Sequence, residues 1–384
     1  MKKGFYIILI FLICLFSFDS TNIVYAETLS DNINDQMQNL DLNKFEEFFN
    51  NICNLPDGTT FFGYVNGLLE GKYNLNFNNI FSYLINSIFY SCKEFVPTFV
   101  SIIAISLFCN LMQKIKGDFV NESIGEIIIF VCLMSIIMLL TSQIISLWQN
   151  TKNIIENIAK LTEIMSPIIL TLMVASGGNV SASVYKPVVA FLSNGVVSVF
   201  LYAIIPLVGI MLVFNIISSF SNTIKFDKYI GLSSGLIKWI IGLIITIFTI
   251  FLSVQGITSA TFDGITIKAT KYAISNSVPL VGGFIRDGFD LVVAGSVLIK
   301  NVIGITGVFA LFYMILSPVL QILAFSFLLK LASAIIHPIA DKKITCFCEG
   351  MSKCVSYLNV AIISVGFMLF ITILLITFSA NAFI

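Results

Sequence analysis

From residue 302 to 329, and again from 357 to 378, this chain carries no charged side chain. About 20 apolar residues suffice for a helix to cross the hydrocarbon core of a bilayer. Inside that core each backbone polar group must find its partner within the protein. Runs like these therefore fold as membrane-crossing helices. The composition agrees. Of 384 residues, 57% are hydrophobic and 11% are charged, with a mean hydropathy of +0.97. A soluble domain carries about 25% charged residues.

Other apolar runs cover 95–112, 124–148, 161–176, 187–220 and 237–254. The second of these ends at Trp148, as expected of an aromatic at the membrane interface. The 161–176 run is short, holds Pro167 and reads as half-inserted. The 187–220 run is too long for one span and divides at Pro206. The 302–329 run holds Pro318, so it is kinked, tilted or divided. The expected fold is an all-α polytopic membrane protein with about 7–8 transmembrane helices. With eight crossings the two chain ends lie on one side. With seven, and a re-entrant 161–176 segment, they lie on opposite sides.

Residues 1–26 read as a cleavable signal peptide: Lys2 and Lys3, an apolar core over 5–18, and a Val24-Tyr25-Ala26 cleavage pattern. Residues 27–94 then form an exported, acidic, helical N-terminal region, with nine acidic residues against three lysines. Residues 32–49 have helical spacing and residues 71–91 look amphipathic. Residues 95–384 form the polytopic domain. Lysines 114, 116, 186, 225, 228, 238, 330, 342, 343 and 353 fall in the loops expected inside, a bias of the positive-inside kind.

The eight cysteines make no disulfide framework. Cys53 and Cys92 can pair across the exported region. Cys346, Cys348 and Cys354 cluster, but without the spacing and fourth ligand of a zinc site, and read as thiols at a helix interface. His337, the single histidine, reads as a cap or interface residue. There is no phosphate-binding glycine loop, no G-x-S-x-G and no intramembrane carboxylate pair. The chain reads as a non-enzyme without cofactor, metal or nucleic-acid partner. The stripes Gly231–Gly235 and Gly304–Gly307 permit close helix approach.

Function is sought where the greasy pattern breaks, over 255–301. This segment is polar and rich in glycine. It holds Gln255, Asp263, Lys268, Lys271, Arg286, Asp287, Asp290, Lys300 and Asn301, with a break at Pro279, Gly282 and Gly283. Charges and helix breakers between membrane spans are tolerated in a loop, a cavity or a protein interface. Asp263-Gly264 suggests a turn. Residues 278–298 read as an interrupted amphipathic helix, with Arg286 and Asp290 spaced to pair. The segment is either an outer loop with a surface helix or a re-entrant element of an oligomeric assembly.

The same segment carries a resemblance. The runs Ser253-Val-Gln-Gly-Ile-Thr-Ser-Ala, Asp263-Gly-Ile-Thr-Ile-Lys268, Val278-Pro-Leu-Val-Gly-Gly283, Asp287-Gly-Phe-Asp290 and Leu298-Ile-Lys-Asn301, with Gly304 and Gly307, resemble the stage III sporulation protein AE family of endospore-forming Firmicutes. The motif-rich match covers 253–307; the rest agrees in layout. The resemblance implies a subunit of a trans-envelope channel between mother cell and forespore, in the mother-cell membrane around the forespore. It implies as partners the other stage III A proteins, including ring-forming components and an ATPase-like protein AA. It also implies the forespore stage II Q protein, membrane lipid and further copies of the chain. No catalytic residue carries over. The candidate assembly or pore residues are Gln255, Asp263, Lys268, Pro279, Gly282, Gly283, Asp287, Asp290, Lys300, Asn301, Gly304 and Gly307. A stand-alone permease for a small solute and a non-conducting assembly scaffold are the competing readings.

Overall fold

In the computed structural model, residues 43–52, 77–115, 122–220, 226–277, 282–339 and 341–379 are described. The signal peptide and most of the acidic N-terminal region, Cys53 included, lie outside them. The described residues are helical throughout apart from turns, and they build one antiparallel bundle. Helix α1 is Asn43–Ile52, α2 is Phe77–Ile115 and α3 is Glu122–Ala175. Helix α4 runs over Asn179–Phe220, α5 over Asp227–Ser277, α6 over Gly282–Ile336 and α7 over Lys342–Phe378. Each of α2 to α7 contains a stretch long and apolar enough to cross a membrane, which makes six among the described residues. The all-α polytopic class expected from the sequence is the one observed.

Several divisions drawn from the sequence are absent, each for a local reason. The 161–176 run is not a separate half-inserted segment; it is the end of α3. The polar stretch between the two apolar runs stays helical because it is amphipathic. Ile155, Ile158 and Leu161 are fully buried, while Lys152, Lys160 and Glu163 face outward. Lys152 and Glu156 form an exposed pair at 4.0 Å. Helix α3 ends in a Schellman turn. The Gly178 amide donates to the Met173 carbonyl at 2.8 Å and the Gly177 amide to Val174 at 2.9 Å. Gly177 sits at φ 89°, a conformation open to glycine at little cost.

The 187–220 run does not divide at Pro206. Two π-helical stretches, Phe191–Val196 and Phe200–Ile204, carry the chain past Pro187 and up to Pro206 as one helix. Proline removes one amide donor, and a widened turn lets the remaining groups find new partners. Pro318 likewise sits inside an unbroken α6. The largest correction concerns residues 255–277. They are not a loop but the continuation of α5, and α6 returns from Gly282. Asp263-Gly264 makes no turn; Asp263 lies inside α5.

The core forms around α7, which packs most extensively on α6 and also on α3 and α4. Apolar burial alone does not select partners in lipid, where tails are as apolar as leucine. Polar contacts and close approach do. Ser326 Oγ lies 3.0 Å from Ser352 Oγ and 2.8 Å from Ser356 Oγ, joining α6 to α7. Asn215 of α4 donates to the Phe347 carbonyl at 3.1 Å, and Asn150 of α3 to Gln321 at 3.3 Å. Cys348 and Cys354 are buried in this core and Cys346 is exposed.

Glu126 of α3, Phe220 of α4 and Lys343 of α7 border one cleft. The start of α3, the end of α4 and the start of α7 therefore share one end of the bundle. The last turn of α2 and the first turn of α5 bring Lys114 and Lys228 to the same end. The start of α4, the end of α7 and the α5–α6 hairpin lie at the opposite end.

Candidate functional site

The root of the α5–α6 hairpin holds two fully buried charged residues, Asp263 and Lys300. Each grips the end of another helix. The Asp263 carboxylate accepts from the Val180 amide at 2.9 Å and from the Ser181 amide at 3.0 Å. Those are among the first amides of α4, which have no intrahelical acceptor. The residue before α4 is Gly178, which offers no side-chain cap. Asp263 thus supplies from α5 the cap that α4 lacks. The positive end of the helix dipole favours a carboxylate there.

Lys300 does the converse for α7. Its Nζ donates to the carbonyl of Ser379, the residue that ends the helix. A cation at the negative end of a helix is again the favoured sign. Tyr185, one turn below Ser181 on α4, is buried within reach of the Ser379 hydroxyl, which donates to the Ile376 carbonyl at 3.0 Å. One turn below Lys300 comes Gly304. A Cβ there would lie 2.9 Å from Thr377 Cβ and 2.7 Å from its Cγ2. Gly304 lets α6 and α7 touch where Lys300 holds the end of α7. Gly307, one turn further, faces the tip of Met165 from α3. Ser181 Oγ and Thr377 Oγ1 are buried without a hydrogen-bond partner among the described residues.

The sequence candidates therefore separate into three groups. Asp263, Lys300, Gly304 and Gly307 meet other helices at the hairpin root. Lys268 is exposed on α5, and Asp290 and Asn301 are half-buried on α6. Gly282 and Gly283 open α6, and Gln255 and Asp287 lie along the hairpin helices. The side chains of Gln255, Arg286 and Asp287 lie outside the described set, as does Pro279 altogether. Tyr185, Ser379 and Thr377 were not expected from the sequence. The one signal for them is the small, polar Ser176-Gly177-Gly178-Asn179 run, which marks the start of α4 but not what would cap it.

This arrangement joins helices through buried polar contacts. Comparison with known proteins adds to it. The family pattern described as stage III sporulation protein AE matches residues 59–380, well over half of the chain. The chain belongs to the stage III sporulation protein AE family. A stage III sporulation protein AE from Bacillus subtilis (strain 168) is 26% identical over 364 residues, covering 93% of this chain and 90% of that protein. No solved structure matches. As a member of the stage III sporulation protein AE family, the chain is a multi-helix membrane protein of sporulation. The 59–380 match contains the whole hairpin and both clamped helix ends.

Proposed function

We propose that this protein is a membrane subunit of the channel that joins mother cell and forespore across both membranes. It sits in the mother-cell membrane around the forespore, and its α5–α6 hairpin faces the intermembrane space. Ring-forming stage III A proteins meet the hairpin there, and through them the forespore stage II Q protein. The lysine-bearing end faces the mother-cell cytoplasm and the ATPase-like protein AA. Residues 1–26 direct the acidic region 27–94 to the same side as the hairpin.

One observation carries the reading. Past Asp263 and Lys300, where α4 starts and α7 ends, the two hairpin helices continue for about 20–27 Å at 1.5 Å per residue. Their roots are fixed to the bundle by buried contacts, so a partner bound to the hairpin pulls on α4 and α7. The positive-inside tendency supports the orientation, because Lys114 at the end of α2, Lys228 at the start of α5, and Lys342 and Lys343 at the start of α7 lie at the other end.

The test is genetic. The gene is deleted in its spore-forming host and a late forespore reporter is followed by microscopy. Arrest after engulfment with a silent reporter is expected, and normal spores would remove the channel reading. A second strain carries Asp287→Lys with Asp290→Lys. Wild-type protein levels in the membrane with few spores are expected. Full spore yield from that strain refutes contact through the hairpin.

A further inference from the structure

At the lysine-bearing end an open cleft of about 430 Å³ lies between α3, α4 and α7. That volume falls within the range of small-ligand sites, about 300–1,000 Å³. Its walls are Ile127, Phe130 and Leu133 from α3 and Phe220 from α4. The Phe130 and Phe220 rings pack with centroids 5.3 Å apart. Ile127 and Phe130 are themselves 59% and 48% exposed, so the apolar wall faces outward from the bundle. Two charged residues of opposite sign stand on this wall, Glu126 and Lys343. Both lie within the first turns of their helices, at the boundary of membrane-crossing segments.

Each part restricts the occupant. An outward apolar wall at a membrane boundary fits an acyl chain. Lys343 sits at the N-terminal end of α7, where its ammonium offers an anion a positive charge beyond the capped helix end. Asp341 already occupies the Lys343 amide at 2.8 Å, which leaves the lysine ammonium as the group able to meet a phosphate. A purely anionic lipid would place its charge near Glu126 with nothing to balance that carboxylate. A headgroup bearing both phosphate and ammonium satisfies both side chains.

We infer that this cleft binds one zwitterionic amine-bearing phospholipid, with phosphate on Lys343, ammonium on Glu126 and an acyl chain along Ile127, Phe130 and Phe220. The site is independent of the channel reading and requires only that the protein sits in a bilayer. The lipid then wedges between α3, α4 and α7 at the lysine-bearing end, opposite the clamped hairpin root.

Native mass spectrometry of the full-length protein in detergent tests this, with phosphatidylethanolamine or phosphatidylglycerol of identical chains as the added probe. The expected result is one retained phosphatidylethanolamine per chain and at least about tenfold weaker retention of phosphatidylglycerol, the scale of one lost charge-assisted contact. Lys343→Glu is expected to lower phosphatidylethanolamine retention about tenfold, and Glu126→Lys to shift preference toward phosphatidylglycerol. The double exchange, Glu126→Lys with Lys343→Glu, restores phosphatidylethanolamine retention and shows that the single variants are folded. Equal retention of the two lipids by the wild type overturns the proposal, as does indifference to both substitutions. Displacement of the lipid by soluble glycerophosphoethanolamine at equal concentration also overturns it, because the headgroup alone would then be the ligand.

Discussion

Replacing Asp263 by alanine strips α4 of its borrowed cap. Two amides, Val180 at a half-buried position and Ser181 at a buried one, lose their acceptor. Loss of an N-cap side chain costs about 0.5–2 kcal/mol. Leaving a buried donor unmade costs about 1–3 kcal/mol. The two descriptions overlap, so they are not summed, and about 2–4 kcal/mol covers both amides. Alanine is the better helix former, but that returns at most about 0.7 kcal/mol to α5. The balance stays clearly unfavourable. Asp263→Asn keeps one acceptor oxygen and loses the charge, which is worth up to about 2 kcal/mol against the helix dipole. The expected order of stability is wild type, then Asn, then Ala. Hydrogen exchange of the detergent-purified protein reads this locally. The first turn of α4 should exchange about 30- to 1,000-fold faster in Asp263→Ala, at about 1.4 kcal/mol per factor of ten. The last turns of α7, held by Lys300 instead, should change much less. Unaltered exchange at residues 180–181 would falsify the capping argument.

Three further outcomes are expected. Lys300→Met keeps most of the side-chain volume and removes a buried charge, so its melting temperature should stay near the wild type, with Lys300→Ala clearly lower; a lower value for Met than for Ala would refute the packing account. Gly304→Ala should destabilise the α6–α7 contact, be eased in part by Thr377→Ala, which leaves a Cβ 2.9 Å away, and more fully by Thr377→Gly, whereas Gly307→Ala should be tolerated because its one close neighbour is the flexible tip of Met165; thermal unfolding of the set decides. A double-mutant cycle over Ser326→Ala and Ser352→Ala should give a coupling of about 0.6 kcal/mol, the average for hydrogen bonds between membrane helices, and no coupling would remove that bond from the account of helix pairing.

The membrane-crossing helices were legible in the sequence because a bilayer imposes one demand, an apolar run of sufficient length. What interrupts the helices was less legible. Pro206 and Pro318 looked like division points, yet a π-helical turn leads into Pro206 and α6 runs unbroken through Pro318. The Asp263-Gly264 pair has the composition of a turn. Its carboxylate is held by α4 instead, and the local preference never acts. Of two glycine stripes read alike, Gly304 and Gly307 meet other helices, while Gly231 and Gly235 face open space. Spacing puts glycines on one face of a helix; it does not say which face another helix will cover. The polarity of 255–301 marked the right region, and the buried charges at its root are the part that polarity alone did not separate from the exposed Lys268.

The cap on α4 also dictates when the bundle can settle. Asp263 lies 83 residues beyond the amide it serves. At a synthesis rate of about 5–20 residues per second, those amides wait roughly 4–17 s for their acceptor. The end of α7 inverts the delay, since Lys300 is made 79 residues before Ser379, the carbonyl it holds. Until then a cationic side chain stands in the nascent bundle with its partner still unmade. An insertion intermediate stopped after α5 therefore has α4 complete, whereas one stopped after α6 carries an unanswered lysine, and that second species is the natural client of whatever machinery shelters half-made membrane proteins.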